Sequence, residues 1–263
     1  MVKEGVYMDR ISYNDIDFNK LTKLDYDSLE SDIYVDKEKQ RIYKIFKTED
    51  LCELSYKLVK LDLLQRKNKK GKMIVPDTTI FDRHFCGTIE KYVPGVNLDD
   101  IFIKYRDINH IMKIFLDASK SLQDIHEEKV VVADLNSANI RIDENYKSHY
   151  IDTLSYRVEN LDNNTVSYLL KEHLHSKNIQ PKKITKEMDK ITFLLMYFNL
   201  LFNKSVNEIS YSEYEEKEDE IKCLKNLYDS FKLIKSRRKK IDVPYLHEII
   251  SDCDVKKYKK EMR

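Results

Sequence analysis

Alternation and helical spacing of apolar residues divide most of the chain into short predicted elements. Ser31–Lys47, SDIYVDKEKQRIYKIFK, reads as strand, polar turn, strand. Thr48–Gln65 has apolar positions at Leu51, Leu54, Leu58, Leu61 and Leu64, with a Thr cap and acids in its first turn, and is predicted to be a helix. Phe85–Phe102, FCGTIEKYVPGVNLDDIF, starts as an apolar strand, breaks at Pro94-Gly95 and leads into a helix start. A buried helix is expected over Ile108–Glu128. NIRID and SHYID, on either side of the polar turn ENYK, predict a hairpin. Lys186–Phe202, KEMDKITFLLMYFNLLF, is nearly continuous in apolar residues; it suits a core helix and is too short to span a bilayer.

Polar residues placed among these apolar runs need a reason. Within Val131–Tyr156, VVADLNSANIRIDENYKSHYIDTLSY, Asp134 ends one apolar run, Asn139 opens the first hairpin strand and Asp152 ends the second. Unpaired acids are costly to desolvate. Two of these residues, Asn139 and Asp152, offer the few hard oxygens that Mg²⁺ takes from protein when phosphates and water supply the rest. Asp134 is then left to orient a hydroxyl nucleophile.

This arrangement resembles the catalytic loop and metal-binding Asp of the protein kinase superfamily, in spacing more than in letters. Val132-Ala133-Asp134 stands for H-R-D and Asp152-Thr153-Leu154 for D-F-G. DLNSANIRID with IDTLSY is similar to a divergent bacterial group of kinase-like domains that carry D-[FL]-N-x-x-N-I and I-D-T-D-S-[FY]; Leu154 replaces the second Asp. The resemblance implies an α+β, bilobal protein-kinase-like fold in a single domain over residues 1–263. A small β-rich N-lobe with one main helix would run to about residue 92, and a larger, mostly helical C-lobe would follow from about 93. It also implies ATP and Mg²⁺ as cofactors, Asp134 as the catalytic Asp, and Asn139 and Asp152 as metal ligands. Lys44 in I-Y-K-I would contact the α- and β-phosphates, with Lys47 as its rival. Glu53 or Glu49 on the following helix would pair with that lysine. Glu90 falls at the gatekeeper position, the backbones of Lys91 and Val93 would meet the adenine edge, and Tyr92 would pack behind. Asp189 matches the buried Asp that anchors the catalytic loop.

Departures from the pattern change the picture. None of the four glycines lies in the turn before Ser31, so Ser28 and Ser31 would have to supply donors to any bound phosphate. No Arg precedes Asp134, which argues against switching by a phosphorylated activation segment; Ser155, Thr165 and Ser167 are the phosphoacceptor candidates between Asp152 and Glu172. His126 reads as a packed helix-end residue, and His173 and His175, alternating as in a strand, read as surface residues.

Composition adds boundaries. Forty-seven basic and forty-six acidic residues leave a formal charge of +1, so no global field recruits nucleic acid or membrane. Cys52, Cys86, Cys223 and Cys253 lack metal-ligand spacing and read as reduced thiols. The N-terminus lacks an apolar signal core, and a cytoplasmic location is expected, that of a host if the gene is phage-borne. The functional expectation is an ATP/Mg²⁺-dependent phosphotransferase acting on a Ser or Thr hydroxyl of a protein substrate. The alternatives are a pseudokinase working as a binding module and a small-molecule kinase of the aminoglycoside or choline type.

Overall fold

The computed structural model describes residues 8–24, 30–104, 108–162, 165–180, 183–236 and 242–250. The first part is built on a six-stranded sheet. Its strands are β1 (Asp9–Ser12), β2 (Thr22–Lys23), β3 (Ser31–Asp36), β4 (Arg41–Phe46), β5 (Thr78–Asp82) and β6 (His84–Lys91). They lie in the order β1-β5-β6-β4-β3-β2, antiparallel throughout except for the β1–β5 pair. The expected strand-turn-strand over Ser31–Lys47 is the β3–β4 hairpin, and its register sets Ile33 opposite Lys44. One face of the sheet packs around Tyr43, Ile80 and Ile89.

Helix α1 (Leu51–Lys67) follows β4. It starts at the first apolar position, but its cap is Asp50 and not Thr48: the Asp50 carboxylate accepts from the backbone N–H of Cys52 at 2.8 Å and of Glu53 at 3.4 Å. Thr48 sits just outside, accepting from the Asp50 N–H and donating to Glu53. Leu54, Leu61 and Leu64 are buried as expected; Leu51 is exposed, and Lys60 is buried beside them.

The second part is mainly helical. After β7 (Val96–Asn97) and α2 (Ile101–Lys104), helix α3 (Ile108–Glu127) turns its apolar stripe, Ile111 through Ile125, into the main core. Three short strand pieces then flank the polar residues singled out from the sequence. They are β8 (Val130–Val131) and the hairpin of β9 (Ile140–Ile142) with β10 (Ser148–Tyr150). β9 also pairs with β7, and β8 with β11 (Arg157–Val158). Helices α4 (Tyr168–Ser176), α5 (Lys186–Phe202), α6 (Tyr211–Glu220), α7 (Tyr228–Lys235) and α8 (Leu246–Ile249) complete the described chain. Every residue of α5 from Ile191 to Phe198 is buried, which accounts for its continuous apolar run. Phe198 meets Tyr214 and Phe231 edge-on at 6.1 and 5.5 Å.

The architecture is therefore mixed α+β, with a β-rich N-terminal sheet and a helical C-terminal part. Among the described residues no helix is long and apolar enough to cross a membrane. Two sequence expectations are corrected. His173 and His175 lie on helix α4, where spacing of two puts them on different faces, and His173 is buried, only His175 being exposed. Ser167, caught under the start of α4, is buried too and is no exposed phosphoacceptor.

Candidate functional site

Asp189, on the first turn of α5, is fully buried and holds the loop after β8 from beneath. Its Oδ2 accepts from the Val132 N–H at 2.7 Å and its Oδ1 from the Ala133 N–H at 3.0 Å. His126, at the end of α3, places Nε2 3.0 Å from Asp189 Oδ2 and Nδ1 2.8 Å from the Tyr245 hydroxyl. His126 is thus a packed residue that braces the anchor. The loop it braces is bent sharply, with Ala133 at φ 61°, a left-handed conformation a non-glycine residue adopts at a cost. That bend turns Asp134 toward the space under the β-sheet. Burial, and after it the charge of Asp152, raises the Asp134 carboxyl above the usual range.

The rest of the loop ties itself down. Asn136 caps the turn by accepting from the Asn139 N–H at 3.0 Å, and Asn139 Nδ2 donates to the Asp134 carbonyl at 3.3 Å. Hairpin register sets Tyr150 opposite Ile140, and the Ile151 N–H continues the ladder to the Asn139 carbonyl at 3.0 Å. The Asn139 backbone is therefore tied to the residue before Asp152 at the open end of the hairpin. Asp152 takes a left-handed conformation, φ 58° and ψ 43°, and its carbonyl accepts from the Ser155 hydroxyl at 2.8 Å.

Lys44 reaches this point from β4. Its ammonium lies 3.2 Å from Asp152 Oδ1 and 3.1 Å from Glu90 Oε1. Burial alone would lower its pKa; the charge of Glu90, and then that of Asp152, outweigh it and hold the lysine raised and protonated. Burial raises the Glu90 carboxyl, and Lys44 offsets that only in part. Lys47, the rival, lies at the exposed strand exit and pairs with Asp32 at 3.8 Å. The acid beside Lys44 is thus Glu90 of the neighbouring strand. Glu53, expected in that role, instead pairs with Lys57 at 3.2 Å and accepts from Thr48. Glu49 lies before the Asp50 cap and is likewise not among the partners of Lys44. Sequence reading saw Glu90 only as a charged gatekeeper. Register could have paired it with Lys44, since β4 sets Lys44 opposite Thr88 and Glu90 points to the same face two residues on.

A cavity of about 470 Å³ opens beside these groups. Lys44, Asp134 and Asp152 line it together with Ser31, Glu53 and two lysines of α1, Lys57 and Lys60, that the sequence did not single out. Ser28 lies outside the described residues. The segment after β6 is tied elsewhere. Val93 is buried and its carbonyl accepts from Arg141 at 3.3 Å; Arg141 also donates to the Gly95 carbonyl and to Asn97, both at 2.7 Å. Tyr92 donates its N–H to the Gln40 carbonyl at 2.8 Å, and Lys91 ends β6 opposite Arg41.

Asn139 and Asp152 fit a hard cation by donor chemistry. Among the described residues, Asn139 Oδ1 and Asp152 Oδ2 accept no hydrogen bond, and both are the neutral or anionic oxygens that Mg²⁺ prefers. No group of three or more His, Cys, Asp or Glu side chains among the described residues could hold a metal, so phosphate and water would complete such a shell. The cleft thus joins a buried lysine, an inward-facing aspartate of raised pKa and the Asp152 carboxylate, while Asn139 is not among its lining residues. No protein-family model matches the chain, and no curated protein matches it.

Proposed function

We propose that the chain is an ATP- and Mg²⁺-dependent phosphotransferase of bilobal, protein-kinase-like fold that modifies a Ser or Thr hydroxyl of a protein. The observation that carries this reading is the meeting of Lys44, Asp134 and Asp152 at one cavity, with the backbone of Asn139 bonded to Ile151, the residue before Asp152. Lys44 holds the α- and β-phosphates. Asp134 accepts a hydrogen bond from the substrate hydroxyl and orients its oxygen toward the γ-phosphorus. As that oxygen bonds to phosphorus, the bond from phosphorus to the β–γ bridging oxygen breaks, the hydroxyl proton passes to Asp134, and ADP leaves. Burial equips Asp134 for this, because a carboxylate of raised pKa is the better proton acceptor. Mg²⁺, which Asn139 and Asp152 would hold, supplies charge neutralisation at the phosphate oxygens. On this reading the segment from Lys91 to Asn97 is the hinge, and the protein works in the cytoplasm, where ATP is.

Transfer from labelled ATP to a protein mixture, or to the chain itself, tests the proposal. Asp152→Ala should lower it about a hundredfold or more, and Asp134→Asn should do the same while sparing ATP binding. Full activity in Asp152→Ala would overturn the role given to that residue. A second reading, a binding module without transfer, is favoured by the Arg141 contact that occupies the Val93 carbonyl on the hinge. No Mg²⁺-dependent stabilisation by ATP in a thermal-shift assay would select it.

A further inference from the structure

The cavity holds three lysines, and their partners are unequal. Lys44 is matched by Glu90 and Asp152, and Lys57 by Glu30 and Glu53 at 3.1 and 3.2 Å. Lys60 is 2 % exposed and, among the described residues, has no carboxylate within ion-pair distance. Its ammonium donates one hydrogen bond, to the Leu154 carbonyl at 3.0 Å, and the Tyr56 ring lies 5.7 Å away. An ammonium carries three N–H groups, and leaving buried ones without acceptors is costly. Burial, and after it the charge of Lys57, pulls the Lys60 pKa down to about 8, against the opposing charges of Glu30, Asp162 and Asp152.

Its place gives that shortage a direction. Leu154 belongs to the turn that starts at Asp152, so Lys60 is pinned beside the residue that pairs with Lys44. Lys60 is itself a lining residue of the cavity that Asp134 and Asp152 also line. A small anion with several oxygens, bound there, would give Lys60 the acceptors that the chain does not.

We propose that Lys60 is a phosphate-binding residue of this cleft, which sets a second ammonium, besides Lys44, on the polyphosphate of a bound nucleotide. This rests on the phosphotransferase reading above and adds a residue to it. Helix α1 is free to carry a base at this position because the acid of Lys44 comes from β6.

The test compares binding of ATP, inorganic tripolyphosphate and adenosine by calorimetry in the wild type, Lys60→Met and Lys60→Arg. Lys60→Met should weaken ATP and tripolyphosphate about tenfold or more, leave adenosine unchanged, and be largely rescued in Lys60→Arg. A residue that merely ties α1 to Leu154 would affect melting without sorting the three ligands in this way. A second measurement needs no variant: in the wild-type protein the Lys60 side-chain Cε resonance should shift on adding tripolyphosphate. Wild-type protein that binds neither ATP nor tripolyphosphate overturns the phosphotransferase reading and this proposal with it. Wild-type protein that binds both, with the Lys60 resonance unmoved or Lys60→Met equal to wild type, overturns the Lys60 proposal alone.

Discussion

Replacing Asp189 by Asn keeps size and shape and removes one acceptor. The carboxylate receives three donors in a site with no solvent, two on Oδ2 and one on Oδ1. The best the amide can do is to set its oxygen toward Val132 and His126, which points its NH₂ at the Ala133 N–H. One buried N–H then loses its acceptor and faces another donor, a cost of about 1–3 kcal/mol. The two bonds that remain lose their charge assistance, and the total comes to about 2–4 kcal/mol. For a chain of this size that is a fall in Tm of roughly 5–15 °C. Ala133, held in its left-handed conformation by the lost bond, should relax first, carrying Asp134 with it. Circular dichroism on heating gives the stability, and amide exchange at Val132 and Ala133 gives the local effect. A variant that melts within about 1 °C of wild type, with both amides exchanging no faster, would show that something other than Asp189 holds the loop.

Two more outcomes follow from the packing. A Cβ at Gly87 would lie 2.5 Å from the Lys44 carbonyl, a backbone atom that cannot swing aside, so Gly87→Ala should cost about 1–3 kcal/mol in a urea melt and displace Lys44 from Asp152; an unchanged midpoint with unchanged ATP affinity would contradict this. Burial, and after it the charge of Lys177, pushes the His173 pKa down to about 4, whereas in the unfolded chain it takes up a proton near 6.5. Below pH 6.5 the unfolded state binds more protons, so stability falls with pH, by at most about 3 kcal/mol once pH 4 is reached. His173→Leu should flatten that part of the stability–pH curve, and a slope identical to wild type would refute the assignment.

The elements were legible where spacing was unambiguous. α3 and α5 match their apolar patterns closely, because a core helix must repeat its apolar face every turn. The hairpin of β9 and β10 was legible for the analogous reason in strands, and it fixed Asn139 and Asp152 at its open end. Lys44 could be chosen over Lys47 from its place within a strand. What the sequence concealed was partner choice. Which acid meets Lys44 depends on which strand lies beside β4, and that neighbour, β6, is some forty residues away in the chain. The burial of Lys60 was hidden similarly, since a lysine on a helix ordinarily marks the solvent face. His173 and His175 misled because two-residue spacing suits a strand, while the helix they occupy separates them.

The Lys44–Glu90 pair has a mechanical consequence. Both residues belong to adjacent, hydrogen-bonded strands of one sheet, so they move as one body. A lysine whose acid sits on a separate helix can be disarmed by swinging that helix outward; here α1 can shift without parting the pair. A shift of α1 would instead part Lys60 from the Leu154 carbonyl and Tyr56 from the Asp162 carbonyl. On the proposed reading, such a shift would withdraw one cation from the cavity and leave the lysine on β4 beside its acid.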